Sequence, residues 1–127
     1  MARVVQLRIQ VENKPGMLAT ICSELAKRAV NITAVMASQE SQGGIRLLAT
    51  PLAVARRVLE EIRIPFEEED AIAVRVTDRP GALGRIMRKL AEAGVNVEYA
   101  YGSIVKGSER ALIVVGVHDI AKAEKLI

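Results

Sequence analysis

The stretch VENKPGMLATICSELAKRAVNITAVMAS, Val11 to Ser38, lies without a gap over VTDRPGALGRIMRKLAEAGVNVEYAYGS, Val76 to Ser103, at an offset of 65 residues. Identical pairs run through the whole overlap: Val11/Val76, Pro15/Pro80, Gly16/Gly81, Leu18/Leu83, Ile21/Ile86, Leu25/Leu90, Ala26/Ala91, Val30/Val95, Asn31/Asn96 and Ser38/Ser103. The chain is a duplication, read as one unit over residues 1–69 and a second over residues 70–127.

Upstream of the first copy, Val5, Leu7, Ile9 and Val11 alternate with Gln6, Arg8 and Gln10, the period of a strand with one face on a core. Ile72, Val74 and Val76 repeat that strand. After each Pro-Gly pair the period changes. Leu18, Ile21, Cys22, Leu25, Ala26 and Ala29 recur at helical spacing, as do Leu83, Ile86, Met87, Leu90 and Ala91. Gly94 supplies a residue able to take positive φ and end the second helix. NITAVMAS and NVEYAYGS follow as strands. Short links, SQGG (41–44) and KGSE (106–109), then lead into IRLLAT and RALIVV, which completes a hairpin in each copy. A second helix follows, from Pro51 to Ile62 and from Asp119 to Ile127.

Copy one closes on a fourth strand, RIPFEEE, Arg63 to Glu69, with EEED (67–70) as a charged corner before copy two. Copy two ends with its second helix, so its fourth strand is missing. The order is β-α-β-β-α-β, an α+β fold of two ferredoxin-like units with antiparallel sheets and helices on one face. Two features point beyond one chain. The strand AIAVRVT of copy two lacks the neighbour that RIPFEEE gives copy one, and an open edge invites pairing with a second chain. ALIVV is apolar at both parities, as in a strand covered on both faces. A homodimer is the expectation.

At 127 residues the chain suits one domain or two very small ones, and half its residues are apolar, enough for a packed interior. No apolar run reaches membrane-spanning length, and MARVVQLRIQ carries charges where a signal peptide needs its apolar core. The single cysteine, Cys22, suits a reducing compartment; the expected location is the cytoplasm. A net charge of +3 permits anionic partners without demanding them.

The repeated loop carries the chemistry. Asn13 or Asp78 can accept hydrogen bonds from backbone N–H groups just beyond it, and Pro15 or Pro80 presets φ for the helix start. Gly16 or Gly81 leaves room for close approach. Behind them lie the free N–H groups of a helix start, suited to a carboxylate. A free amino acid needs donors for its carboxylate, an acceptor for its ammonium and room for its side chain. Asn31 and Asn96 add an amide at the start of the next strand. Gly81→Val is expected to block approach while leaving the fold intact. The plainer reading of the same residues is a well-capped strand-to-helix turn.

The pattern D-x-P-G-x-L, then an apolar-faced helix, then G-[VI]-N-[VI], resembles that of the ACT domain, here as NKPGML with AVNI and DRPGAL with GVNV. The resemblance covers nearly the whole chain as two tandem copies. It implies a regulatory, amino-acid-binding module, with the effector at an interface between two units against the strand-to-helix loop of one. The implied contacts are Asn13, Pro15, Gly16, Met17, Leu18, Asn31 and Ile32 in copy one. In copy two they are Asp78, Pro80, Gly81, Ala82, Leu83, Asn96 and Val97. Copy one departs from the pattern in placing Asn13 where an acid is usual, so the stronger site is expected in copy two.

Other functions find less support. His118 is the only histidine and reads as an exposed residue beside the cap formed by Asp119. Cys22 lies on the apolar helix face and reads as core. No acid pair or nucleophile motif accompanies either, so catalysis is not expected, and the possible ligands do not cluster for a metal or a cofactor. Nucleic-acid binding on this fold uses aromatic residues on the central strands, and VVQLRIQV, IRLLAT, AIAVRV and RALIVV hold none. Arg85, Arg88 and Lys89 fall on the polar side of a helix and read as a solvated face. A chain made only of such units either binds its ligand or acts on an enzyme in trans, as a regulatory subunit like that of acetolactate synthase would.

Overall fold

Each change of period at a Pro-Gly pair is a change of element in the computed structural model of the chain, which describes residues 2–12, 14–38, 44–104 and 110–126. The elements run β1 (Ala2–Ile9), α1 (Met17–Lys27), β2 (Asn31–Ser38), β3 (Gly44–Thr50), α2 (Leu52–Glu61), β4 (Phe66–Thr77), α3 (Ala82–Glu92), β5 (Val97–Ile104), β6 (Arg110–Val117) and α4 (Ile120–Leu126). The link KGSE and most of SQGG lie outside the described residues, as does Asn13.

Contacts divide the chain into two compact units, Val5–Glu69 and Met1–Val4 with Asp70–Ile127. Within the first the strand order is β2-β3-β1-β4, and within the second β1-β4-β6-β5. Strands β1 and β4 thus each give one segment to each unit. β2 pairs antiparallel with β3, and β3 with β1. β5 and β4 flank β6 in the same sense. The duplication extends to irregularities, since β2 shifts register between Ile32 and Ala34 and β5 between Val97 and Tyr99, equivalent places in the repeat.

The first residues of β1 belong to the second unit. In that unit, β4 has β6 on one side and the first residues of β1 on the other. The edge expected to be open on AIAVRVT therefore has, at its start, a neighbour from the chain itself. Arg3 anchors this segment: its guanidinium donates to Asp70 at 2.7 Å and reaches Glu124 at 3.5 Å. The hydrogen bond and charge of Asp70 raise the Arg3 pKa further above the ordinary guanidinium value.

EEED is not a corner. β4 runs straight through it, because each of its four acids faces an arginine: Glu67 with Arg8, Glu68 with Arg56, Glu69 with Arg46 and Asp70 with Arg3. Glu69 also accepts a hydrogen bond of 2.9 Å from the Gln6 amide, which is fully buried. A run of like charge that would repel itself in isolation is neutralised residue by residue.

Each unit buries its own core between helices and one sheet face. In the first, Leu7, Ile9, Ile21, Leu25, Leu47 and Leu59 pack together; in the second, Ile72, Val74, Leu90, Val95, Val115 and Ala123. Val115 and its neighbour Val114 are both 0% exposed although they point to opposite faces of β6, as the two-sided apolar run implied. At Gly116 the space a Cβ would take is filled by the Tyr99 ring.

Helices α1 and α3 end alike. Val30 N–H bonds the Leu25 carbonyl and Ala29 N–H that of Ala26; Val95 and Gly94 do the same with Leu90 and Ala91. The residue in the left-handed region is Gly94 in one helix and Ala29, at φ 58°, in the other. Pro51, joined to Thr50 by a cis peptide bond, is the N-cap of α2. The Asp119 carboxylate accepts the Lys122 N–H at the start of α4, the expected cap.

Candidate functional site

The two Pro-Gly loops fold alike. Lys14 N–H bonds the Glu12 carbonyl at 3.0 Å and Arg79 N–H that of Thr77 at 2.9 Å. A second turn follows at once, closed by Met17 N–H on the Lys14 carbonyl and by Ala82 N–H on that of Arg79. Its third residue is Gly16 at φ 89° or Gly81 at φ 87°. Proline second and glycine third at positive φ is the type II turn. The proline thus serves the turn that precedes the helix, and the helix N-cap is the glycine itself. Neither cap has a side chain to offer, so the first N–H groups of α1 and α3 receive no side-chain cap.

This corrects the expectation for Gly81→Val. At φ 87° a β-branched side chain is strained wherever it points, and among the described residues the only atom near its Cβ is the flexible end of Arg85. The substitution is expected to lower stability by about 1–3 kcal/mol through the turn, whatever it does to a ligand. Urea denaturation checks this, and an unchanged midpoint would contradict the turn geometry.

Beside each turn the structure forms a cleft within the unit. The first, of about 270 Å³, lies between Val11, Glu12 and Lys14 on the loop, Met17 and Leu18 on α1, and the adjoining ends of β2 and β3 at Ala37, Ser38, Gly44 and Ile45. The second, of about 260 Å³, lies between Val76, Thr77, Asp78 and Arg79, then Leu83 on α3, and the ends of β5 and β6. Gly102, Ser103, Ala111 and Ile113 are its contacts there. Gly102 pairs with Ile113 as Ala37 pairs with Ile45, so the two floors are equivalent.

The rims differ in charge. Around the first, Glu12 and Lys14 pair with each other at 3.6 Å. Around the second, Asp78 and Arg79 are exposed, and among the described residues neither makes an ion pair or a side-chain hydrogen bond. Leu18 and Leu83, 37% and 40% exposed, are apolar groups turned to water at equivalent places.

Of the residues picked out in the sequence, Met17, Leu18, Asp78 and Leu83 line the clefts. Pro15, Gly16, Pro80 and Gly81 shape the turns, and Ala82 is buried in the core. Asn31 and Asn96 lie one helix length away, roughly 16 Å for eleven residues. They stand at the opposite end of β2 and just before β5. Asn96 is engaged there with His118, donating its N–H to the ring Nδ1 at 3.1 Å and accepting the His118 N–H at 3.3 Å. Ile32 and Val97 pack against the cores. The sequence reading missed the strand-end residues of the clefts, although Ser38/Ser103 stood among the identical pairs.

Cys22 is half-buried on α1. Among the described residues no three His, Cys, Asp or Glu side chains gather as a metal site would require, and no helix is long and apolar enough to cross a membrane.

The profile of a family described as an ACT domain pair matches residues 2–127. Among solved structures, a protein of Bacteroides thetaiotaomicron superposes with a TM-score of 0.89 at 26% identity, over 98% of this chain and 85% of that one. The ligand-free regulatory subunit of aspartate kinase from Thermus thermophilus gives 0.66 at 16% identity, over 99% and 95%. Aspartokinase III of E. coli in complex with lysine and aspartate gives 0.61 at 17%, over 98% of this chain and 29% of that one. The last two are likenesses of fold.

Proposed function

Because the chain belongs to the family of ACT domain pairs, we propose that it is a non-catalytic regulatory protein that binds a free amino acid beside its strand-to-helix turns. The observation that carries this reading is the cleft built twice, at equivalent places, next to a helix start without a side-chain cap. The stronger site is the one at Asp78, Pro80, Gly81 and Leu83. There an ammonium meets a carboxylate and a carboxylate meets the Arg79 guanidinium, both charge-assisted. The site at Pro15, Gly16, Met17 and Leu18 is weaker, since the sequence places the neutral Asn13 where the second copy has Asp78, and Glu12 and Lys14 at its rim already face each other at 3.6 Å. A thermal-shift screen against the proteinogenic amino acids tests the reading, because a ligand of the folded state alone raises the melting temperature by mass action. No shift with any of them at millimolar concentration would defeat it.

A second reading gives the protein an enzyme to act on in trans. It is supported by the likeness in fold and extent to a regulatory subunit of aspartate kinase, over 95% of that chain. Both readings suit a cytoplasmic homodimer. With β1 beside β4, the edge strands left for association are β2 in one unit and β5 in the other. Light scattering across a concentration series decides this, and a constant mass of one chain would reject the dimer.

A further inference from the structure

The two clefts share a frame and differ in charge, and we infer that the second, beside Asp78, selects an amino acid with an aliphatic side chain. This rests on the amino-acid-binding reading above and adds the class of ligand. Among the described residues, both charges of the second cleft belong to consecutive rim residues, Asp78 and Arg79. A zwitterion can therefore satisfy its ammonium and its carboxylate at the mouth without displacing a partner among the described residues. With the rim committed to the head group, the ligand's side chain is left to the walls, where Val76, Leu83, Ala111 and Ile113 outnumber the uncharged hydroxyls of Thr77 and Ser103.

Those walls decide the class. Among the described residues the lining holds no second acid for a lysine or arginine side chain, and no second base for an aspartate or glutamate. Either would lose hydration without gaining a partner, the most expensive way to bury a charge. An aliphatic side chain asks for nothing polar and takes Leu83, 40% exposed, out of water. The volume of about 260 Å³ lies below the range of drug-sized pockets, roughly 300–1,000 Å³, and suits a single amino acid.

Calorimetric titration of the full chain with valine, leucine and isoleucine, against lysine, aspartate and phenylalanine, tests the inference. The aliphatic ligands are expected to bind at least about tenfold more tightly than lysine and aspartate, and more tightly than phenylalanine. Leu83→Asp places an acid in the first turn of α3, where the helix dipole favours it, and a charge on the apolar wall. It is expected to weaken aliphatic binding at least about tenfold. Leu83→Gln, measured beside it, makes the wall polar without charge and should weaken binding in the same direction. Val35→Asp, at an exposed residue outside both clefts, is the control and should leave affinity unchanged. If a charged or aromatic amino acid binds more tightly, the class is wrong and the amino-acid reading stands. If neither Leu83 variant weakens binding, the ligand lies elsewhere and the inference fails. If none of these amino acids binds but another is found in the thermal screen, only the inference falls; if none binds in either experiment, both do.

Discussion

Leu90→Ala is expected to destabilise the protein by about 2–5 kcal/mol, and Leu25→Ala by a similar amount. The two leucines occupy the same place in the duplication, one in the last turn of each cleft-bearing helix. Both are 0% exposed, each within the core of its own unit. Truncation removes the transfer free energy of the side chain and leaves a cavity that close-packed neighbours fill only in part. Each carbonyl also receives the backbone bond that closes its helix, from Val30 or Val95, so relaxation there is restrained. Urea denaturation of the two variants checks the symmetry as well as the burial. If the units unfold separately, each variant shifts its own transition alone. A loss under about 1 kcal/mol at either position would contradict the packing described.

Deleting the residues before Val5 is expected to have the second large effect, and on the unit that lies farther along the chain. That segment of β1 flanks β4 within the second unit, and Arg3 ties it to Asp70 at 2.7 Å. Each lost ladder bond contributes about 0.5–1.5 kcal/mol net, so losing two or three, with the packing of Val4, totals about 2–4 kcal/mol. The exposed ion pair adds little. The uncovered stretch of β4 then becomes an edge, and the shortened protein should associate as concentration rises. Thermal denaturation followed with light scattering checks both parts. A melting temperature equal to that of the full chain would show that the segment does not complete the second unit.

The parts of this fold that were legible in the sequence were those governed by local periodicity. The helices after each Pro-Gly pair follow from the spacing of Leu18, Ile21 and Leu25 and of Leu83, Ile86 and Leu90. The strand covered on both faces follows from ALIVV. What escaped depends on partners far away in sequence. EEED looks like a turn until Arg3, Arg8, Arg46 and Arg56, from three other elements, stand opposite its carboxylates. The segment beside β4 in the second unit is the start of β1, which precedes the first copy of the repeat.

The candidate site divides along the same line. The loop residues were found because their chemistry is local, whereas Ser103, Ala111 and Ile113 reach the second cleft only through the register of β5 against β6. Asn31 and Asn96 were chosen for their amides, but a helix of eleven residues carries the chain away from the loop before they occur. The following strand brings it back, to Ser38 and Ser103. Gly81 was read for the space it leaves, while its backbone angle gives it a duty in the turn.

The sharing of β1 and β4 also sets an order of events in time. The unit Val5–Glu69 is continuous in sequence, so its strands meet by closing loops within one stretch of chain. The other unit must join Arg3 to Glu124 across 121 residues, against the 63 that separate Gln6 from Glu69 in the first, and closure entropy grows with that separation. Once the continuous unit has set Val5–Ile9 beside Phe66–Glu69, the residues leading into Val5 emerge next to those following Glu69, and most of that entropy has already been lost. The first unit is thereby a template for the second, and pulse-labelled amides should gain protection in Val5–Glu69 ahead of Ile72–Val76. Two copies built alike acquire different ages within a single folding event.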